Sequence, residues 1–232
     1  MIFDPPLIKG KLVRRYKRFL ADVEMENGEI VVVHCPNSGS MLGCDIPGAP
    51  VYLSQANNSK RKLKYTWELI EISDNNFAGI NTMRTNRIVE EALQNRMIPE
   101  IGSFDMLRRE VAYGEGSRID FLLENGDNQI YVEVKNVTMI DDEIAKFPDA
   151  QTKRGQKHLK ELITMVQHGH RSVMFFLVNR QDAKQFQPAD HIDPEYAKLL
   201  KEAQEAGVEL VVYSTKTDIQ TIAVDKPIPY SL

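Results

Sequence analysis

Apolar positions along the 232-residue chain change their period near residue 80. Before that point they come in short runs, 11–24, 29–35, 51–54, 63–72 and 77–81, with Pro36-Asn37-Ser38-Gly39 and Pro47-Gly48 among the breaks. Runs of this length bounded by turn formers read as strands. Asn27-Gly28 is the turn of a first hairpin. About five strands with no amphipathic helix among them suggest a small closed barrel of the OB type. The first run carries basic residues on both faces, so one long, bulged or strongly coiled strand is expected over 11–24.

From Asn81 onward a helical period enters. Over 85–97, Ile88, Val89, Ala92 and Leu93 share one face, and Pro99 ends the helix. Strands are predicted at 106–113, 118–123 and 129–137. A helix over 152–168 buries Leu159, Leu162, Ile163 and Val166 and stops at Gly169. The run 173–178 is a buried strand, Asp193-Pro194 opens a helix that Gly207 closes, and 208–213 is the last strand. Helix, three strands, helix, strand, helix, strand is the order of a restriction-endonuclease-like core. The predicted fold is therefore a two-domain α+β or α/β protein, with a barrel over 1–80 and a mixed α/β domain over 81–232.

Chemistry concentrates in 117–138. Two β-rich runs flank Glu124-Asn125-Gly126-Asp127-Asn128, a hairpin signature. Side chains alternate along a strand, so Glu133 and Lys135 project together while Val132 and Val134 point the other way. Asp120 sits between Ile119 and Phe121 on the partner strand. Charges inside apolar strands need a partner or a metal. An acid followed by Glu-x-Lys resembles the metal-dependent motif of restriction-endonuclease-like nucleases. The competing reading is an exposed hairpin with a cross-strand ion pair.

Composition is that of a globular protein, with 27% charged and 42% hydrophobic residues. The net charge of −4 does not mark a nucleic-acid binder, but its distribution is informative. Lys9, Lys11, Arg14, Arg15, Lys17 and Arg18 form one basic run and Lys60, Arg61, Lys62 and Lys64 another, while 120–149 and 182–209 are acid-rich. Each basic run can equally be a solvated strand face. Interleaved with Tyr16 and Phe19, Arg14, Arg15, Lys17, Arg18, Arg61 and Lys62 suit a nucleic-acid surface; Trp67 is expected in the barrel core. No apolar run is long enough to span a membrane, and Met1-Ile2-Phe3-Asp4-Pro5-Pro6 lacks a signal-peptide pattern. Cys35 and Cys44 read as reduced thiols, which places the protein in the cytosol.

Several blocks in order resemble the bacterial and archaeal sugar fermentation stimulation family. They include Arg15-Tyr16-Lys17-Arg18-Phe19, His34-Cys35-Pro36-Asn37-Ser38-Gly39, Tyr65-Thr66-Trp67-Glu68, Ser117-Arg118-Ile119-Asp120-Phe121, Glu133-Val134-Lys135-Asn136-Val137-Thr138 and Arg154-Gly155-Gln156-Lys157-His158. The resemblance implies an OB-like domain joined to a nuclease-like domain, DNA binding, and a part in regulating sugar utilisation, notably of maltose. It also draws in Glu91, through the Asn86-to-Ala92 block, as a further acid near the metal.

Phosphodiester hydrolysis needs an activated water and a cation to take up charge on the phosphoryl oxygens, and Mg²⁺ or Mn²⁺ prefers carboxylate oxygens. Asp120 and Glu133 are the expected ligands, with Glu91 and Glu110 as further candidates that can equally be solvated acids. Lys135 would orient or deprotonate the water. Arg154 and His158, four apart on one helix face, can bind the phosphate and relay protons, or can simply be surface cations. Three functions stay open: a metal-dependent nuclease, a non-catalytic DNA-binding regulator on the same scaffold, and a ligand- or protein-binding module in sugar metabolism. Oligomeric state is left unassigned.

Overall fold

The computed structural model describes residues 1–58 and 60–232. Its first six strands are β1 (Ile8–Tyr16), β2 (Leu20–Met25), β3 (Ile30–His34), β4 (Pro50–Gln55), β5 (Tyr65–Ser73) and β6 (Asn76–Gly79). They hydrogen-bond in the order β3-β2-β1-β4-β5-β6, and β3 meets β5 at His34 and Thr66, which closes a barrel. The closed ring of five strands is an OB barrel. Leu12, Val33, Leu53, Trp67 and Ile70 fill it. Trp67 is fully buried and donates from Nε1 to the Leu69 carbonyl at 2.9 Å.

The expected strand over 11–24 is instead a hairpin. Lys17 and Arg18 take φ of 48° and 61°, and β1 returns as β2 through them. Two consecutive left-handed residues usually announce themselves as Asn or Gly; Lys-Arg gives no such warning. A bulge does occur, at Leu12/Arg14.

A helix, α1 (Thr85–Gln94), links this barrel to the rest. It stops three residues earlier than its apolar period suggested. Arg96 turns left-handed at φ 56° and lays its guanidinium on the Phe104 ring, 3.9 Å from the centroid. Then come β7 (Met106–Tyr113), β8 (Ser117–Asn125), β9 (Asn128–Val137), β10 (Met139–Asp141), β11 (Ile144–Phe147), α2 (Lys153–Gln167), β12 (Arg171–Val178), β13 (Gln185–Pro188), α3 (Pro194–Glu205), β14 (Glu209–Thr217) and β15 (Ile222–Pro227). The main sheet runs β15-β14-β12-β9-β8-β7, parallel at its centre through β14, β12 and β9 and antiparallel at both edges. A small sheet, β10-β11-β13, lies beside it. The small sheet and β15 escaped the sequence reading, because strands of three or four residues and a polar edge such as Asp225-Lys226-Pro227 carry no clear alternation.

Helix α1 packs Ile88, Val89, Ala92 and Leu93 on one face of the main sheet. Helices α2 and α3 cover the other through Leu159, Leu162, Tyr196 and Leu200. Thr152 caps α2 by accepting from the Gly155 amide at 3.0 Å, and Asp193 caps α3 by accepting from Tyr196 at 3.0 Å. A Cβ on Gly155 would stand 2.8 Å from the Thr152 methyl and 3.0 Å from the Tyr196 ring, so close helix packing accounts for that glycine. The first core also takes in Tyr52, Leu69 and Phe77, which point outward from the barrel. No helix among the described residues is long and apolar enough to cross a membrane.

Candidate metal centre and its surroundings

The antiparallel ladders on both sides of Asp120 open at that residue. Strand β7 pairs with β8 at Arg109↔Phe121 and Val111↔Ile119, skipping the position between, where Glu110 sits at φ 51°. Strand β8 pairs with β9 only from Phe121↔Val132 onward. In place of a backbone partner, the Val134 amide donates to Asp120 Oδ2 at 2.7 Å. Asn86 of α1 donates to Oδ1 at 2.8 Å. These bonds fix the carboxylate beside β9. Burial, and then the nearby charge of Glu133, hold the Asp120 carboxyl above its ordinary value.

Glu133 is 3% exposed and its two oxygens differ sharply. Oε1 accepts from Lys135 Nζ at 2.6 Å and contacts His158 Nδ1. Oε2 is buried with no hydrogen-bond partner among the described residues. Burial would raise this carboxyl, but Lys135 and His158 together hold it below the ordinary range. His158 Nε2 accepts from Arg154 Nε at 3.3 Å, which assigns the ring proton to Nδ1, facing Glu133. Asp120, Glu133, Lys135, His158 and Arg154 are thus one connected constellation, assembled from β8, β9 and α2.

The other proposed acids lie apart from it. Glu91 is on the opposite side of α1 from the Asn86 contact and accepts from the Met1 amino nitrogen at 3.1 Å. Glu110 is exposed, and its carbonyl accepts from Arg118 at 2.9 Å. Three participants gave no sequence signal of their own: Asn86, Tyr113 and Glu161. Asn86 was inside the block that pointed to Glu91. Glu161 follows His158 by three and Arg154 by seven, so the helical period that paired those two also reaches it. The Tyr113 hydroxyl and Glu161 Oε2 are buried without a hydrogen-bond partner among the described residues. Burial, followed by the charges of Glu133, Glu161 and Asp120, strongly raises the Tyr113 phenol.

The N-terminal cations are unequal. Arg14 pairs with Asp22 at 2.7 Å. Arg15 donates to the carbonyls of Asn37 and Gly39 at 3.0 and 2.9 Å, so it clamps a loop. Lys17, Arg61 and Lys62 are exposed, and Arg61 touches His34 Nδ1 at 3.1 Å. Arg18, at the β1–β2 hairpin tip, borders a cleft of about 310 Å³ whose far wall includes Asn136, Lys146 and Thr152. Asn136 directly follows Lys135, so Arg18 is the member of the first basic run that shares a cleft with the acidic half of the protein.

Two family models cover this architecture. One is described as the SfsA N-terminal OB domain and matches residues 13–80; the other, the sugar fermentation stimulation protein RE domain, matches 83–221. A sugar fermentation stimulation protein homolog of Geotalea daltonii is 52% identical, with both chains covered completely. One from Pseudomonas putida is 49% identical over 100% of this chain and 99% of its own. Among solved structures, that of Pyrococcus furiosus SfsA in complex with Ca²⁺ superposes with a TM-score of 0.90 at 29% identity, covering 100% of this chain and 98% of the other. With an OB barrel and a restriction-endonuclease-like sheet matched along nearly their whole length, the chain belongs to the sugar fermentation stimulation protein family.

Proposed function

We propose that this protein binds nucleic acid, DNA in the first instance, and hydrolyses phosphodiester bonds with a divalent cation, Mg²⁺ or Mn²⁺, held by Asp120 and Glu133. The observation that carries this reading is the orphaned Glu133 Oε2. A buried, ionised oxygen without a donor is costly, and a cation is the partner that would relieve it. Among the described residues no three His, Cys, Asp or Glu side chains form a ready metal cluster. Two carboxylates completed by water suit Mg²⁺, which keeps much of its hydration shell. The Ca²⁺ carried by the Pyrococcus furiosus relative supports a divalent site.

When bound, the cation would supply Lewis-acid stabilisation of phosphoryl charge and lower the pKa of a bound water. The residues divide the remaining tasks. Lys135, anchored to Glu133, orients the water and offsets negative charge. Arg154 donates toward His158 and keeps other guanidinium protons for a phosphate oxygen. His158 holds its Nδ1 proton toward Glu133 and, with Lys135, occupies Oε1, which leaves Oε2 for the cation. Asn86 fixes Asp120. The barrel over 1–80 delivers the strand, with Arg18 at the shared cleft, and 81–232 cuts it. The buried free thiols Cys35 and Cys44 fit a cytosolic protein, and regulation of sugar-utilisation genes would then follow from DNA binding.

Purified protein incubated with DNA and RNA in Mg²⁺, Mn²⁺ or chelator tests this directly. Cleavage is expected with either cation, and not in chelator or in Asp120→Ala and Glu133→Ala. Calorimetry showing unchanged metal affinity in both variants would remove the site.

A further inference from the structure

On the other side of the segment that leads into α1 lies a larger cleft, about 790 Å³, which the metal chemistry does not use. It is walled by the ends of β3, β4 and β5, by residues near the N-terminus, and by the start of α1. Three arginines line it: Arg61 from the β4–β5 loop, Arg84 at the entry to α1, and Arg87 in its first turn. Two acids also border it, Asp4 and Glu68.

Glu68 is already committed. It is 2% exposed, and each of its oxygens is bonded twice. Ser54 Oγ at 2.6 Å and Arg84 Nη2 at 3.0 Å donate to Oε1, while Asn81 Nδ2 at 2.8 Å and Arg84 Nε at 3.3 Å donate to Oε2. The carboxylate therefore grips one edge of the Arg84 guanidinium and leaves Nη1 unengaged among the described residues. Arg61 is steadied in turn, since an arginine can only donate and His34 Nδ1 must accept. A guanidinium held from behind by a buried carboxylate loses little freedom when it meets an anion. No acid occupies the first turn of α1, so the positive end of that helix adds to the field. The border is not only cationic. Ile2 and Met83 are 73% and 76% exposed there and offer an apolar face.

We propose that this cleft binds a phosphate ester that carries a ring, namely a nucleotide, either free or as one unit of a nucleic-acid strand. Arg84, Arg61 and Arg87 take the phosphate, and Met83 and Ile2 lie against the sugar or base. Its volume falls within the range of pockets that enclose a small organic ligand and exceeds what a bare phosphate requires. The site is independent of Asp120 and Glu133, and holds whether or not those residues cut anything.

The test uses the full-length protein in chelator, which silences the metal centre. Calorimetry is run with 5′-phosphorylated dithymidylate, the same dinucleotide without its 5′-phosphate, glucose 6-phosphate, inorganic phosphate and a longer oligothymidylate. NMR of the His34 ring reports occupancy locally. The phosphorylated dinucleotide should bind and shift the His34 resonances, and losing the 5′-phosphate should weaken it about tenfold or more. Arg61→Ala with Arg87→Ala should weaken it by at least a comparable factor, about tenfold. If the oligothymidylate binds far more tightly and the same variants weaken it, the ligand is a strand. If the dinucleotide binds as tightly as the oligonucleotide, the ligand is a free nucleotide; glucose 6-phosphate or inorganic phosphate binding as tightly as the dinucleotide would overturn the nucleotide assignment. Affinities within twofold of wild type in the double variant, or a silent His34 ring, would overturn the proposal. Asp120→Asn should leave this binding intact, so failure here is separable from failure of the nuclease reading.

Discussion

Glu68 in the barrel and Glu133 in the main sheet are the two most deeply buried glutamates, and they are treated oppositely. Glu68, in the barrel, has both oxygens doubly bonded, with Arg84 gripping the carboxylate from one side. Glu133, in the main sheet, crowds Lys135 and His158 onto one oxygen and leaves the other bare. Desolvation is similar for both, so what differs is how far the protein itself meets the cost. A buried carboxylate that the fold satisfies is a structural strut. One that the fold leaves half satisfied, as it leaves Glu133, has an oxygen open to the cation proposed above. Burial and charge alone would have ranked the two alike.

The sharpest way to break this contrast is to remove each charge and ask about metal. Glu133→Gln should abolish cleavage and also the stabilisation that Mg²⁺ gives wild type, which is about 2.7 kcal/mol at a hundredfold excess over Kd. Glu68→Gln should retain that metal-induced gain in a thermal melt. Equal loss in both variants would erase the distinction. Lys135→Ala should keep metal binding in calorimetry yet slow cleavage by about a hundredfold or more, because its role is exerted on the water and phosphate.

The next effect concerns folding without metal. Glu68→Ala strands Arg84 and two polar side chains, and should cost about 3 kcal/mol by urea denaturation. Asp120→Asn should do the reverse. The Asp120 carboxyl is held above its ordinary value of 3.8, so its ionised form is unfavourable in the folded state and stability falls as pH rises through that titration. Replacing it with the neutral amide in chelator should stabilise the protein at pH 7, as read by urea denaturation. The gain should fade as pH falls below 3.8, where Asp120 is neutral in both states. Glu133 has the opposite sign: its carboxyl is depressed below 4.5, so its contribution is present at neutral pH and is lost in acid.

The smallest expected effect lies in the basic hairpin. Arg18 faces the shared cleft, whereas Arg14 and Arg15 are tied to Asp22 and to loop carbonyls. Arg18→Ala should lower the salt slope of DNA binding by about one unit, and Arg14→Ala by less, as measured by fluorescence anisotropy. Equal slopes in wild type and both variants would mean that the hairpin does not touch phosphate.

Legibility in the sequence followed the range of the interaction. The period of two put Glu133 and Lys135 on one face, and the period of 3.6 paired Arg154 with His158; both contacts formed. Partners that meet only through tertiary packing were silent. Asn86 reaches Asp120 across 34 residues, and Glu161 reaches the Glu115 amide across 46. The family resemblance pointed to Glu91 as a further acid near the metal, but the helix turns Glu91 toward Met1 and offers Asp120 the Asn86 amide. The left-handed Lys17-Arg18 turn and the early stop at Arg96 were hidden for another reason: their backbone angles are imposed by packing on residues with no preference for them.

The outward-facing Tyr52, Leu69 and Phe77 have a consequence for how the chain is made. They belong to a core whose other members include Phe121, Val132, Phe175 and Val224. On the ribosome the barrel emerges first, and its apolar outer face stays uncovered until most of the second half has been synthesised. The barrel can close early, but its exterior is finished last. The nascent chain therefore passes through a stage with an exposed greasy patch, which is where holdase chaperones would bind and where translation halted after the barrel would leave an aggregating fragment.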